Sequence, residues 1–161
     1  MDTIIPNLLD EVPRLLSSGI AEVFDTMLAL ETNPEPACDL HAGKETILAG
    51  SVGFIGDANG VVYLKVTAAF ARTLASRMLG IVEAELGDDD MVNDVMGELT
   101  NMIVGSVKSR LCDSGTPCVL TIPSIVRGES FRVERACASK RRLLGFRCGN
   151  EHIVVELQMK S

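Results

Sequence analysis

The chain has 161 residues, of which 47% are hydrophobic, 23% charged and 4% aromatic, with a formal net charge of −7 and no Trp. That apolar content suits a single domain over residues 1–161 with a sizeable core and excludes intrinsic disorder. No run of about 18 apolar residues offers a membrane span, and the acidic balance argues against nucleic-acid affinity, which depends on Lys and Arg at phosphates.

The charge is uneven. Residues 1–115 carry 7 basic and 18 acidic side chains, and residues 116–161 carry 8 basic and 4 acidic. The opening Met1-Asp2-Thr3-Ile4-Ile5-Pro6 lacks the basic start of a secretory signal, so a cytoplasmic location is expected. Cys38, Cys112, Cys118, Cys137 and Cys148 form no CxxC pair and read as reduced thiols, mostly small apolar fillers. His41 and His152 stand alone without ligand-like spacing, so no metal site is expected.

A first helix is predicted over about residues 7–31, where Leu9, Val12, Leu16, Ile20, Val23 and Met27 recur at helical spacing. Pro13 either begins its regular part or kinks it, and Asn33-Pro34-Glu35-Pro36 stops it. Two strands follow, Thr46 to Ile55 and Val61 to Val66, with Asn59-Gly60 expected to supply positive φ in the turn. Thr67 is a plausible N-cap for a short helix that turns Phe70, Leu74 and Met78 inward and stops at Gly80.

Six acids between Glu83 and Asp94 suit the start of a long helix from about Asp89 to Leu111. Beyond Gly115, strands are predicted at Pro117 to Ile122, Glu129 to Cys137, Leu143 to Cys148 and His152 to Met159, with turns at Ser139-Lys140-Arg141 and Gly149-Asn150. The expected fold is α+β, a mostly antiparallel sheet packed against long helices. Gly50, Gly53, Gly56 and Gly60 fall within and between strands, so they read as turn or bulge glycines rather than a phosphate loop. The basic stretch that includes Arg132, Arg135, Lys140, Arg141, Arg142 and Arg147 reads as a solvated hairpin.

The informative pattern is Asp94-x3-Glu98-x2-Asn101-x3-Gly105. At about 100° per residue, these four positions share an arc about 60° wide, while Met91, Val92, Val95, Met96, Leu99, Met102 and Ile103 occupy the other side. Such a strip on its own is often just a solvent face. Asn and Gly are weak helix formers, however, and Gly105 would leave a flat patch where another surface can approach closely.

The motif resembles the signature of the CheC/CheX/FliY chemotaxis phosphatases. The element order is also similar, from Phe54-Ile55-Gly56-Asp57-Ala58-Asn59-Gly60-Val61-Val62 through Met78-Leu79-Gly80 to Leu120-Thr121-Ile122-Pro123. The likeness spans roughly residues 5–158 and is nearest to CheX-like domains. It implies a CheC-like fold and hydrolysis of the aspartyl phosphate on a CheY-type receiver domain. By the same resemblance, Asn101 would orient the attacking water, Glu98 would pair with a Lys of the receiver, and Asp94 and Gly105 would support docking.

An amide suits that role, since it accepts from water and donates to oxygen without adding charge. The Mg²⁺ of the reaction would belong to the receiver, and this chain would bind no cofactor. The first helix echoes the motif in Glu22-x2-Asp25, but an ionised Asp25 only accepts hydrogen bonds, so one active site is expected. Single-site members of the family imply a homodimer. The alternative is a non-catalytic module that uses the same helix to hold a receiver or a flagellar-switch component.

Overall fold

A computed structural model describes residues 7–129, 131, 133 and 139–160. Three helices, α1 (Leu8–Leu28), α2 (Ala68–Leu79) and α3 (Asp89–Asp113), accompany seven strands. The strands are β1 (Asn33–Glu35), β2 (Ile47–Gly56), β3 (Gly60–Thr67), β4 (Cys118–Leu120), β5 (Ser124–Gly128), β6 (Ser139–Cys148) and β7 (Glu151–Lys160). They form one antiparallel sheet in the order β1-β6-β7-β3-β2-β4, with β5 also paired to β2. The α+β expectation therefore holds.

The first helix ends before the Asn-Pro stretch. Ala29 takes a left-handed conformation, φ 52°, and its N–H donates to the Asp25 carbonyl. Arg77 of α2 then donates from Nε to the Leu28 carbonyl at 2.8 Å, covering helix-end acceptors that would otherwise lack partners. Asn33-Pro34-Glu35 is strand β1 rather than a mere helix stop, and an edge position tolerates Pro34. The helix runs through Pro13, which it carries in its interior. Helix α2 follows the prediction, with the Thr67 side chain accepting from Phe70 N and Gly80 left-handed.

At the β2–β3 turn the positive φ belongs to Gly56, at 154°, and Asn59 contributes its side chain instead, bonded to both the N–H and the carbonyl of Gly56. The predicted strand at Pro117 to Ile122 shortens to Cys118–Leu120, and β5 is an unpredicted strand. Ser139-Lys140-Arg141 opens strand β6 instead of making a turn, because the pairing of Ser139–Cys148 with Glu151–Lys160 runs ten residues without interruption. Most of the strand predicted at Glu129 to Cys137 lies outside the described residues, as do Arg132, Arg135 and Cys137. Of the other cysteines, Cys118 and Cys148 are buried as predicted, whereas Cys38 and Cys112 are exposed.

Strand alternation gives the sheet two different faces. Leu48, Val52, Val62, Leu64, Val155 and Leu157 point to the helices and form the main core. The outward face buries a charged cluster: Lys65 Nζ lies 2.8 Å and Arg141 3.2 Å from a Glu156 oxygen, and Gln158 donates to the other oxygen at 2.8 Å. Residues 37–41 pass over this face, lining with Lys65, Arg141, Leu143 and Val154 a cavity of about 530 Å³. No described helix is long and apolar enough to cross a membrane.

Burial alone would push the Glu156 carboxyl up, but hydrogen bonds from Lys65 and Gln158 and the charges of Lys65 and Arg141 hold it below the usual glutamate range. A depressed folded pKa stabilises above the unfolded value, and the contribution is lost as pH falls through the folded one. Denaturant unfolding of wild type should therefore show stability falling as the pH drops below about 4.3. Glu156→Gln should flatten that acid limb and, by leaving Lys65 buried without its counter-ion, cost about 3–5 kcal/mol at neutral pH.

Candidate active site

Helix α3 is capped by Asp88, whose side chain accepts from Asp90 N at 3.1 Å, and runs 25 residues from Asp89. Two close approaches seat it. A Cβ at Gly50 of β2 would lie 2.3 Å from Thr100 Oγ1 and 3.3 Å from the Met96 carbonyl. A Cβ at Gly19 of α1 would lie 2.5 Å from Ser106 Oγ. Gly50 is thus a packing glycine that lets the helix settle on the sheet, not the turn or bulge glycine expected from sequence. The Thr100 hydroxyl donates to the Met96 carbonyl at 2.7 Å, so its burial leaves no polar atom unmatched.

These contacts bury more of α3 than the periodicity predicts. Gly97, Thr100, Val104 and Val107 join the apolar residues on the covered side, and Pro123, in the crossing between β4 and β5, sits over Gly97. Met91 was expected on the buried side; it is exposed, and Met102 is only half-buried, because both lie at the boundary of the covered arc. They form a soft apolar margin beside the polar strip.

Asp94 and Glu98 are exposed, Asn101 is half-buried, and Gly105 has nothing within 4 Å of the position its Cβ would take. Residues three and four apart on a helix are side-by-side neighbours, so the four positions form one continuous strip. Among the described residues, the side chains of Asp94, Glu98 and Asn101 make no hydrogen bond or ion pair. Glu22 and Asp25 of α1 are also exposed.

The strip lines neither the cavity under residues 37–41 nor the one beside Asp57, Asn59 and Lys140, and an exposed helix face suits contact with a macromolecule rather than enclosure of a small ligand. Sequence reading missed how α3 is held at its acidic end. Arg127 of β5 donates to Asn93 Oδ1 at 2.8 Å and lies 3.6 Å from Asp89. The register of Leu48 with Arg127 turns that side chain to the helix face, a relation no local spacing reveals.

A helix-backed antiparallel sheet of this kind is the fold of CheC-like domains. The family description "Chemotaxis phosphatase CheX" matches residues 48–147, and the chain belongs to the CheX family. No curated protein matches it. Among solved structures, the chemotaxis protein CheX from Vibrio vulnificus is similar with a TM-score of 0.79 at 22% identity, covering 93% of this chain and 97% of that one. A CheX–CheY–BeF3–Mg²⁺ complex from Borrelia burgdorferi gives 0.75 at 19% identity, with 93% and 98% covered. Thermotoga maritima FliY gives 0.63 at 13% identity, with 99% and 93% covered.

The open surroundings of Gly105 predict the stability of a variant. Gly105→Ala should raise thermal stability by about 0.5–1 kcal/mol, since the methyl meets nothing and the helix interior favours Ala. A calorimetric loss of stability would show that the space is filled.

Proposed function

We propose that this chain is a hydrolase that removes phosphate from the aspartyl phosphate of a CheY-type receiver domain. The observation that carries the reading is the pairing of Glu98 and Asn101, both without side-chain partners among the described residues, on one strip of a helix seated on two sides. Family membership supports the chemistry. The Borrelia CheX solved with CheY supports the class of partner.

In this reading Glu98 forms an ion pair with a receiver Lys, fixing the helix across the receiver's pocket. Asn101 then reaches the phosphoryl group, its carbonyl oxygen accepting from a water and its amide N–H donating to an oxygen. The water oxygen forms the new bond to phosphorus as the bond to the aspartyl oxygen breaks. Inorganic phosphate leaves, the water proton passes to phosphate or solvent, and the receiver carboxylate is restored.

Phosphoryl transfer of this kind gains chiefly from positioning, so a neutral amide on a rigid helix suffices. A carboxylate in its place would add negative charge beside the phosphoryl oxygens. Mg²⁺ is supplied by the receiver. Asp94 and the flat surface at Gly105 assist docking.

Phosphate release from a phosphorylated receiver should be accelerated by wild type and fall to the receiver's own rate with Asn101→Ala. Unchanged acceleration by the variant would sink the assignment. Glu98→Ala should weaken receiver binding by about 1–3 kcal/mol, the usual loss for a charged hydrogen bond. Tight binding by wild type without faster phosphate loss would instead favour a non-catalytic module that holds a receiver or a flagellar-switch component.

A homodimer is part of the proposal. Ile55, Val119 and Val126 are exposed on the outward face of β2, β4 and β5, where a second copy would cover them. Light scattering should give twice the chain mass, and Val126→Glu should reduce it to one; a monomeric wild type would remove this element.

A further inference from the structure

The covering segment over the outward face holds a group of side chains that the proposed phosphatase chemistry does not use. Chain direction creates it. After pairing Glu35 with Gly145, the backbone leaves β1 and crosses directly over β6. A Cβ at Gly145 would lie 2.6 Å from the Glu35 carbonyl and 2.7 Å from Ala37 Cα, so the missing side chain is what lets the crossing pass. The crossing delivers Cys38 to the outward side of β7, where His152 stands in register with Arg147.

We propose that Glu35, Cys38 and His152 form a three-ligand site for a zinc-type divalent cation. One donor atom from each, Cys38 Sγ, a Glu35 oxygen and a His152 ring nitrogen, lies within 4.8 Å of the others. Tetrahedral zinc with bonds of about 2.0–2.3 Å separates its ligands by roughly 3.3–3.8 Å. The arrangement therefore needs only small rotations of partly exposed side chains.

Sulfur, imidazole and carboxylate together match zinc and its borderline-soft neighbours rather than Mg²⁺ or Ca²⁺. Three protein ligands leave the fourth position to water or an added group.

The surroundings favour a cation. Two carboxylates, Glu35 and Asp39, act on the Cys38 thiol from its own segment. A divalent ion would relieve that crowding of negative groups by taking the thiolate and the carboxylate as ligands. His152 Nδ1 already contacts Glu35 Oε1 and would exchange that contact for the metal. Arg147, its cross-strand neighbour, is engaged with the Gly149 carbonyl at 2.9 Å.

The metal would fasten the start of the 37–41 crossing to β7. Sequence spacing hides the site, because Glu35-x2-Cys38 and His152 come from segments more than a hundred residues apart.

The test uses the full chain freed of metal, titrated with Zn²⁺ alone against a chromogenic chelator and with Co²⁺ alone by absorption. Wild type should bind one Zn²⁺ per chain in the micromolar range or tighter, and Co²⁺ should give a thiolate-to-metal charge-transfer band. Cys38→Ser should abolish the band, and both it and His152→Gln should weaken Zn²⁺ binding at least about tenfold. Cys112→Ser, which alters another exposed thiol, should leave both signals unchanged. Circular dichroism checks that each variant is folded. Failure of wild type to bind Zn²⁺ at micromolar metal, or an unaltered band and affinity in Cys38→Ser, overturns the proposal.

Discussion

Everything about the candidate site depends on how closely α3 can approach its two neighbours. Glycine at position 50 brings the helix down on β2, and glycine at position 19 brings α1 against its flank. With two sides occupied and Pro123 over Gly97, the middle of the helix leaves Glu98, Asn101 and their strip neighbours as its uncovered face. A strip held this way cannot rotate, since rotation would drive Thr100 or Ser106 into backbone. The backbone that carries Asn101 and Glu98 is therefore placed before any partner arrives, which confines the ordering cost of binding to the side chains.

The electrostatic picture is local. The part of the chain that contains α3 is strongly acidic, and a receiver's phosphoryl pocket is itself rich in negative charge. Bulk attraction does not bring such surfaces together. In the proposed complex, Glu98 placed against a receiver ammonium would do so, provided that the group facing the phosphate, Asn101, is neutral. The exposed edge of Met91 and half-buried Met102 add contact area without charge, and methionine adapts its shape readily.

Much of this was legible in the sequence wherever the signal was local. Period and caps located α2 between Thr67 and Gly80 and α3 from Asp89, and alternation located β2, β3 and β7 to within two residues. The strip itself follows from helical arithmetic. What escaped was nonlocal. Ser139-Lys140-Arg141 has the polarity of a turn, yet pairing with β7 keeps it extended. The roles of Gly50 and Gly145 depend on what passes above them, and the fastening of α3 by Arg127 depends on strand register. Residue type alone carries none of that information.

The central pairing of β3 with β7 has a consequence for how the domain is made. Gly60 lies opposite Met159 and Val62 opposite Leu157, partners separated by about a hundred residues. Loop closure over such a distance comes with an entropic cost before any contact is gained, which slows folding. During synthesis, α1, the β2–β3 hairpin and α3 emerge from the ribosome while one edge of β3 still lacks its strand. The nascent chain must carry that open edge, an invitation to mispairing, until β7 arrives to close the sheet.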